Sequence, residues 1–127
     1  PQEGTVLFTV ADKDKNEILP LAQGFYELGY RLIATTGTAA YLNVHGIRTE
    51  RVNKLFEGSP NIVDLLQTGE IDLIINTITK GKTPAREGFQ IRRRAAERGI
   101  PCLTSLDTAT ALYEALRKIQ LQATPLL

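Results

Sequence analysis

Residues 34 to 39 read ATTGTA, three hydroxyls around one glycine, where the apolar run Leu32-Ile33-Ala34 gives way to a helix-forming stretch. A turn needs Gly37 but has no need of Thr35, Thr36 and Thr38. An anion would use all of them. The start of a helix carries unpaired amide N–H groups and a partial positive charge. A glycine lets a phosphate reach that backbone, and threonine hydroxyls donate to it. The competing use of the same residues is a cap, with Thr36 or Thr38 accepting a bond from the first helical turn.

Cations recur at equivalent places along the chain. Lys15 follows the first apolar run, Lys54 the third extended stretch, and Lys80 and Lys82 the fourth. Singly, each is an ordinary solvated charge; their common placement after strands is the argument. Asn76 ends the run IDLIIN with a side chain that both donates and accepts. It can close a turn, or read a ribose or a base. Together these residues suit a phosphorylated small molecule with further polar groups, such as a nucleotide. Arg92, Arg93 and Arg94 fall on a helix and point in different directions, which fits a solvated face or a neighbouring domain. Without interleaved aromatics they make no case for nucleic acid. His45 is the single histidine, and no metal-ligand set accompanies it.

The elements that must position these residues alternate in type. Thr5–Val10 is a buried strand by its β-branched content. Ile18, Leu21, Ala22, Phe25 and Leu28 lie at helical spacing, with Gly29 as the stop. Asp14 with Glu17 reads as a capping box, although Pro20 then falls inside the helix and either bends it or moves its start toward Asn16. The pattern continues as strand Arg31–Thr35, short helix Thr38–His45, and a weak, charged edge strand Ile47–Val52. A loop over Lys54–Asn61, helix Ile62–Gln67 and strand Ile71–Asn76 follow. Helix Phe89–Arg98, strand Pro101–Thr104, helix Leu106–Ile119 and a loose tail from Gln120 complete it. Such alternation predicts βαβ units and a parallel sheet covered on both faces. Ligands on such sheets bind beyond the carboxyl ends of the strands, near the point where strand order reverses.

The totals agree with one domain. The chain has 127 residues, one cysteine and nearly balanced charge, 15 basic against 14 acidic. That balance offers no electrostatic case for nucleic acid or a membrane surface. No apolar run reaches a membrane-spanning length. A single Cys102 suits a reducing, cytoplasmic compartment and reads as a small buried hydrophobe. A first residue Pro1 and the lack of any methionine lead to the expectation of a piece processed or excised from a longer chain.

The segments ATTGTA (34–39), VNKLFEGSPNIVDLL (52–66), LIINTITKGKTPAREGFQIRR (73–93) and PCLTSLDTATAL (101–112) carry a resemblance. Across about residues 4 to 117 the chain is similar to the carboxyl-terminal regulatory domain of the carbamoyl-phosphate synthetase large chain. That domain is a member of the methylglyoxal-synthase-like group. The resemblance implies a three-layer α/β/α, Rossmann-like fold with a five-stranded parallel sheet. It implies a single non-catalytic domain with no cofactor or metal of its own, which binds UMP as inhibitor and IMP or PRPP as activator. The parent uses ATP with Mg2+ or Mn2+ and K+, works with a glutaminase small subunit, and makes carbamoyl phosphate for pyrimidines and arginine. The effector residues carried over are Thr9, Lys15, Thr35, Gly37, Thr38, Lys54 and Asn76. A further hydroxyl of the family meets Ile78 here, which shifts that contact to Thr77 or Thr79. Lys80 and Lys82 stand where other members have arginines.

Two other functions fit the same phosphate pocket. Methylglyoxal synthase would take dihydroxyacetone phosphate and needs carboxylates to abstract a proton. Its Gly-Gly-Asp segment is replaced here by Glu57-Gly58-Ser59-Pro60, and its Asp-Pro by Asn76-Thr77-Ile78. A stand-alone nucleotide sensor differs only in lacking an attached synthetase, which the parent gene would reveal.

Overall fold

The computed structural model describes residues 4–53, 61–77 and 84–123. Five strands form one parallel sheet: β1 (Thr5–Thr9), β2 (Arg31–Thr35), β3 (Glu50–Val52), β4 (Leu73–Asn76) and β5 (Cys102–Leu103). Their order is β3-β2-β1-β4-β5. The chain thus winds outward from β1 in one direction, then returns to β1's other side and winds the opposite way. The order reverses between β1 and β4.

Alternation along each strand divides the apolar residues between two cores. Val6, Phe8, Leu32, Ala34, Leu73 and Ile75 face one side, where α1 (Lys15–Glu27), α2 (Thr36–Val44) and α5 (Leu106–Ala123) cover them. Leu7, Ile33, Val52 and Ile74 face the other, under α3 (Ile62–Thr68) and α4 (Pro84–Arg98). This is the expected three-layer arrangement. Buried on both faces, β1 and β4 are continuous apolar runs and not alternating ones, as parallel strands require.

Several boundaries differ from the sequence expectation. Helix α1 runs through Pro20, so the proline ends nothing. Pro20 is exposed, in the second turn, where the carbonyl it leaves without a partner can meet water. Asp14 occupies the N-cap position of α1 but makes no side-chain cap bond, so the anticipated box with Glu17 is not formed. A capping box forms instead at α3. The Asn61 side chain accepts from the Asp64 N–H, and the Asp64 carboxylate accepts from the Asn61 N–H at 2.9 Å. Helix α2 begins at Thr36, two residues before the expected start, and α4 begins at Pro84 instead of Phe89, with the proline at a helix start where its missing N–H costs nothing. The tail is not loose from Gln120, because α5 continues to Ala123. The edge strand β3 and the penultimate strand β4 are shorter than expected, losing residues at their amino ends.

Packing of α5 on α1 depends on Gly24. A Cβ there would lie 2.5 Å from Cζ of Tyr113, so the glycine admits the ring. Tyr113 then stacks at a tilt on Phe25, whose ring is edge-on to Tyr30. No helix among the described residues is long and apolar enough to cross a membrane.

Candidate functional site

The strand order reverses between β1 and β4, and on such sheets the carboxyl-end notch at that switch point is where ligands bind. The register of the two strands pairs Thr9 with Asn76 there. Each lies two residues after a residue of the α3/α4-side core, Leu7 and Ile74, so both side chains project to that face. There the Asn76 Nδ2 donates to the Thr9 Oγ1 at 2.7 Å. Asn76 is 4 % exposed, so its amide is a committed group and not a solvated turn closer. The next residue, Thr77, accepts from the Ala11 N–H at 2.7 Å. Its hydroxyl ties the end of β4 to the chain leaving β1, a structural duty beside the binding one expected for it.

One strand along, β2 ends at Thr35. Its backbone is extended, at φ −67° and ψ 162°, and it stands at the N-cap of α2, yet its hydroxyl makes no cap bond. Thr35 therefore supplies no side-chain cap to the opening amides of α2. Thr35 and Thr38 are both buried, whereas Thr36 and Gly37 are exposed at the opening of the helix. Lys15, the first residue of α1, reaches across to this turn. Its Nζ lies 2.9 Å from where a Cβ on Gly37 would be. Gly37 thus makes room for an ammonium group at the positive end of a helix, an arrangement that favours an anion between or beside them.

The structure brings Thr9 to Asn76 and Lys15 to Gly37, with Thr35 and Thr38 on the same rim. Lys54, Thr79, Lys80 and Lys82 lie outside the described residues. Sequence reasoning missed Arg92. Its Nη1 donates to the Asn76 Oδ1 at 3.4 Å, bringing a half-buried guanidinium to the notch. Of the neighbouring arginines, Arg93 pairs with Glu97 at 3.7 Å, an exposed contact along the helix. Arg92 stands one residue after buried Ile91, and that position is the signal that could have separated it from Arg93.

Other candidates serve packing. Cys102 is half-buried on β5, and burial pushes its thiol above the ordinary value against the opposing pull of the Arg92 charge. That is the opposite of an activated nucleophile. His45 caps α2, with Nδ1 2.9 Å from the Tyr41 carbonyl oxygen and the two rings 4.4 Å apart. Among the described residues no three His, Cys, Asp or Glu side chains cluster as a metal site would require.

The chain is similar to known proteins in sequence and in fold. The family model of the MGS-like domain matches residues 17–104. The C-terminal section of the carbamoyl phosphate synthase large chain of Methanopyrus kandleri is 50% identical over 120 residues, which is 94% of this chain and 22% of that relative. The chain therefore spans about a fifth of that protein's length. A methylglyoxal synthase from Elizabethkingia anophelis superposes with a TM-score of 0.72 at 18% identity, covering 89% of this chain and 78% of that one. A structure of ForH does so with a TM-score of 0.63 at 22% identity, covering 92% and 81%. At such identities the two structures speak for the fold alone.

Proposed function

This chain belongs to the MGS-like domain family, and we propose that it is the allosteric effector-binding domain of a carbamoyl-phosphate synthetase large chain. The observation that carries the reading is the meeting of Lys15 with the glycine-opened, uncapped start of α2, one strand from the switch-point notch. A mononucleotide phosphate sits at Thr35, Gly37 and Thr38 with Lys15 and Lys54 as counter-charges. Its sugar and base extend toward Asn76 and the segment carrying Thr77, Thr79, Lys80 and Lys82. The half-identity to a synthase section over nearly the whole chain supports the assignment of the parent.

In this reading UMP inhibits and IMP or PRPP activates. The partners are the synthetase domains of the same large chain and a glutaminase small subunit, in the cytoplasm. The chemistry is ATP-dependent carbamoyl phosphate synthesis, with Mg2+ or Mn2+ and K+ held elsewhere in the parent. The domain adds no catalytic group. An effector acts only through unequal affinity for two states of the parent, and couplings of about 1–3 kcal/mol are typical of such control.

Calorimetric titration of UMP and IMP into the chain and into Gly37→Ala tests the site. An alanine at Gly37 pushes on the Lys15 ammonium, a movable group, and raises helix propensity by up to about 1 kcal/mol. Stability is expected to hold or rise while binding weakens about tenfold, a loss of ~1.4 kcal/mol. Equal binding by both proteins would remove the α2 turn from the site. Dihydroxyacetone phosphate turnover is expected to be absent, because the carboxyl end of β4 offers an amide where an enzyme would need a base. Measurable turnover would favour the enzyme reading.

A further inference from the structure

Arg92, Asn76 and Thr9 form a relay from α4 through β4 to β1. The Arg92 Nη1 lies 3.4 Å from the Asn76 Oδ1, and the Asn76 Nδ2 lies 2.7 Å from the Thr9 Oγ1. The amide of an asparagine has nearly the same shape either way round, so its partners decide which end faces where. A guanidinium has five donors and no acceptor. Asn76 must therefore turn its oxygen to Arg92, which leaves its NH2 for Thr9. The Thr9 oxygen then accepts, and its single proton is left to donate elsewhere.

We infer that Arg92 is a positioning residue of the switch-point notch: it fixes the Asn76 amide so that Thr9 offers a bound ligand a hydrogen-bond donor in place of lone pairs. The inference rests on the nucleotide reading above and deepens it. A notch of donor polarity suits phosphate and carbonyl oxygens, which accept only. If the amide turned over, its oxygen would take the Thr9 proton, and the hydroxyl would present lone pairs to those oxygens. The guanidinium is held for this task by the helix: Ile91 and Ala95, on either side of it in sequence, are buried in the α3/α4-side core. Its charge also acts on the Cys102 thiol of β5, and Arg92 itself is half-buried.

Two measurements test this on the same chain. In the 15N-labelled, nucleotide-free protein, Arg92→Met should shift the Asn76 side-chain amide signals and speed their hydrogen exchange severalfold, while Arg92→Lys, which also carries only donors, should preserve them. With UMP as the probe, Arg92→Met should weaken binding about tenfold. That loss should not add to the loss from Thr9→Val, since both act through the same hydroxyl. An Asn76 amide unmoved by Arg92→Met overturns the inference, and so does an additive double-mutant cycle, which would make Arg92 a remote charge on the rim. Wild-type protein that binds neither UMP nor IMP would remove the nucleotide reading instead. The ligand-free amide signals would still decide whether Arg92 sets the polarity of the notch.

Discussion

The two rims of the sheet carry polar groups in very different states. At the amino ends of the strands, charges close on one another. Arg31, at the start of β2, forms a forked pair with Glu50 and also lies 3.7 Å from Glu70. The Asp72 carboxylate accepts the Thr5 N–H at 2.8 Å, and the Tyr30 hydroxyl is held above its ordinary pKa by burial and by that same Asp72 charge. At the carboxyl ends the described acidic groups include Asp14 and Glu17 at the start of α1, Asp64 at the start of α3 and Asp107 at the start of α5. Beside them the rim carries donors: Lys15, Arg92, the hydroxyls of Thr9, Thr35 and Thr38, and the opening amides of α2. One rim satisfies itself and staples the sheet. The other gathers donors around the start of α2 and the ends of β1 and β4, an array that suits an anion.

The contrast breaks most sharply at Asn76. Asn76→Leu removes the acceptor for Arg92 and the donor to Thr9 at a 4 % exposed position. UMP binding should fall by a factor of ten or more, with a stability loss of about 1–3 kcal/mol. Calorimetry and denaturant melts measure the pair of effects, and unaltered UMP affinity would mean the notch is not part of the site. Next in size is Asp72→Ala at the amino-end rim, which strands the Thr5 N–H. Stability should fall by about 1 kcal/mol with UMP affinity unchanged. A matching loss of affinity would show that the two rims are coupled and the contrast is false.

The smallest effect belongs to Glu50. Its carboxyl is held below the ordinary value first by the hydrogen bond from Arg31, and its side chain is 52% exposed. A depressed carboxyl pKa contributes stability above the unfolded value, lost as pH falls through the folded one. Screened exposed pairs are worth ~0–1 kcal/mol, so Glu50→Gln should cost no more than that at neutral pH. The difference from wild type should shrink as pH falls below the ordinary glutamate range of about 4.3 and vanish once the depressed folded value is passed. A pH-independent difference would show that the pair acts through packing and not charge.

Much of this arrangement was legible from residue order, and the exceptions have physical causes. The strand Arg31–Thr35 was read with its observed limits, because the short apolar run Leu32-Ile33-Ala34 is bounded by Gly29 on one side and by the Gly37 turn on the other. The α2 start was displaced because Thr36 and Gly37 have no apolar side chain to enter a periodic pattern, yet the hydrogen bonds of the turn begin there. The cap at α3 was missed because Asn61 lies beside Pro60 in a stretch that reads as loop, while the Asp14 pattern was present in letters and unformed in space. A capping motif specifies types and spacing, but the rotamer that closes it depends on what else surrounds the side chain.

What residue order determined by itself was local and periodic: the alternation of strands and helices, hence a parallel sheet covered on both faces, and the glycine-opened turn after β2. It also placed Thr9, Lys15, Thr35 and Asn76 after or at the ends of strands, where such sheets bind ligands. Only the tertiary structure decided which of those ends are neighbours. The pairing of Thr9 with Asn76 joins residues 67 apart in sequence, set by the order in which the strands assemble. The presence of Arg92 in the notch depends on how α4 is rotated about its axis against the sheet. That rotation is fixed by burying Ile91 and Ala95, so packing of the apolar face chose which one of three consecutive arginines would meet the site.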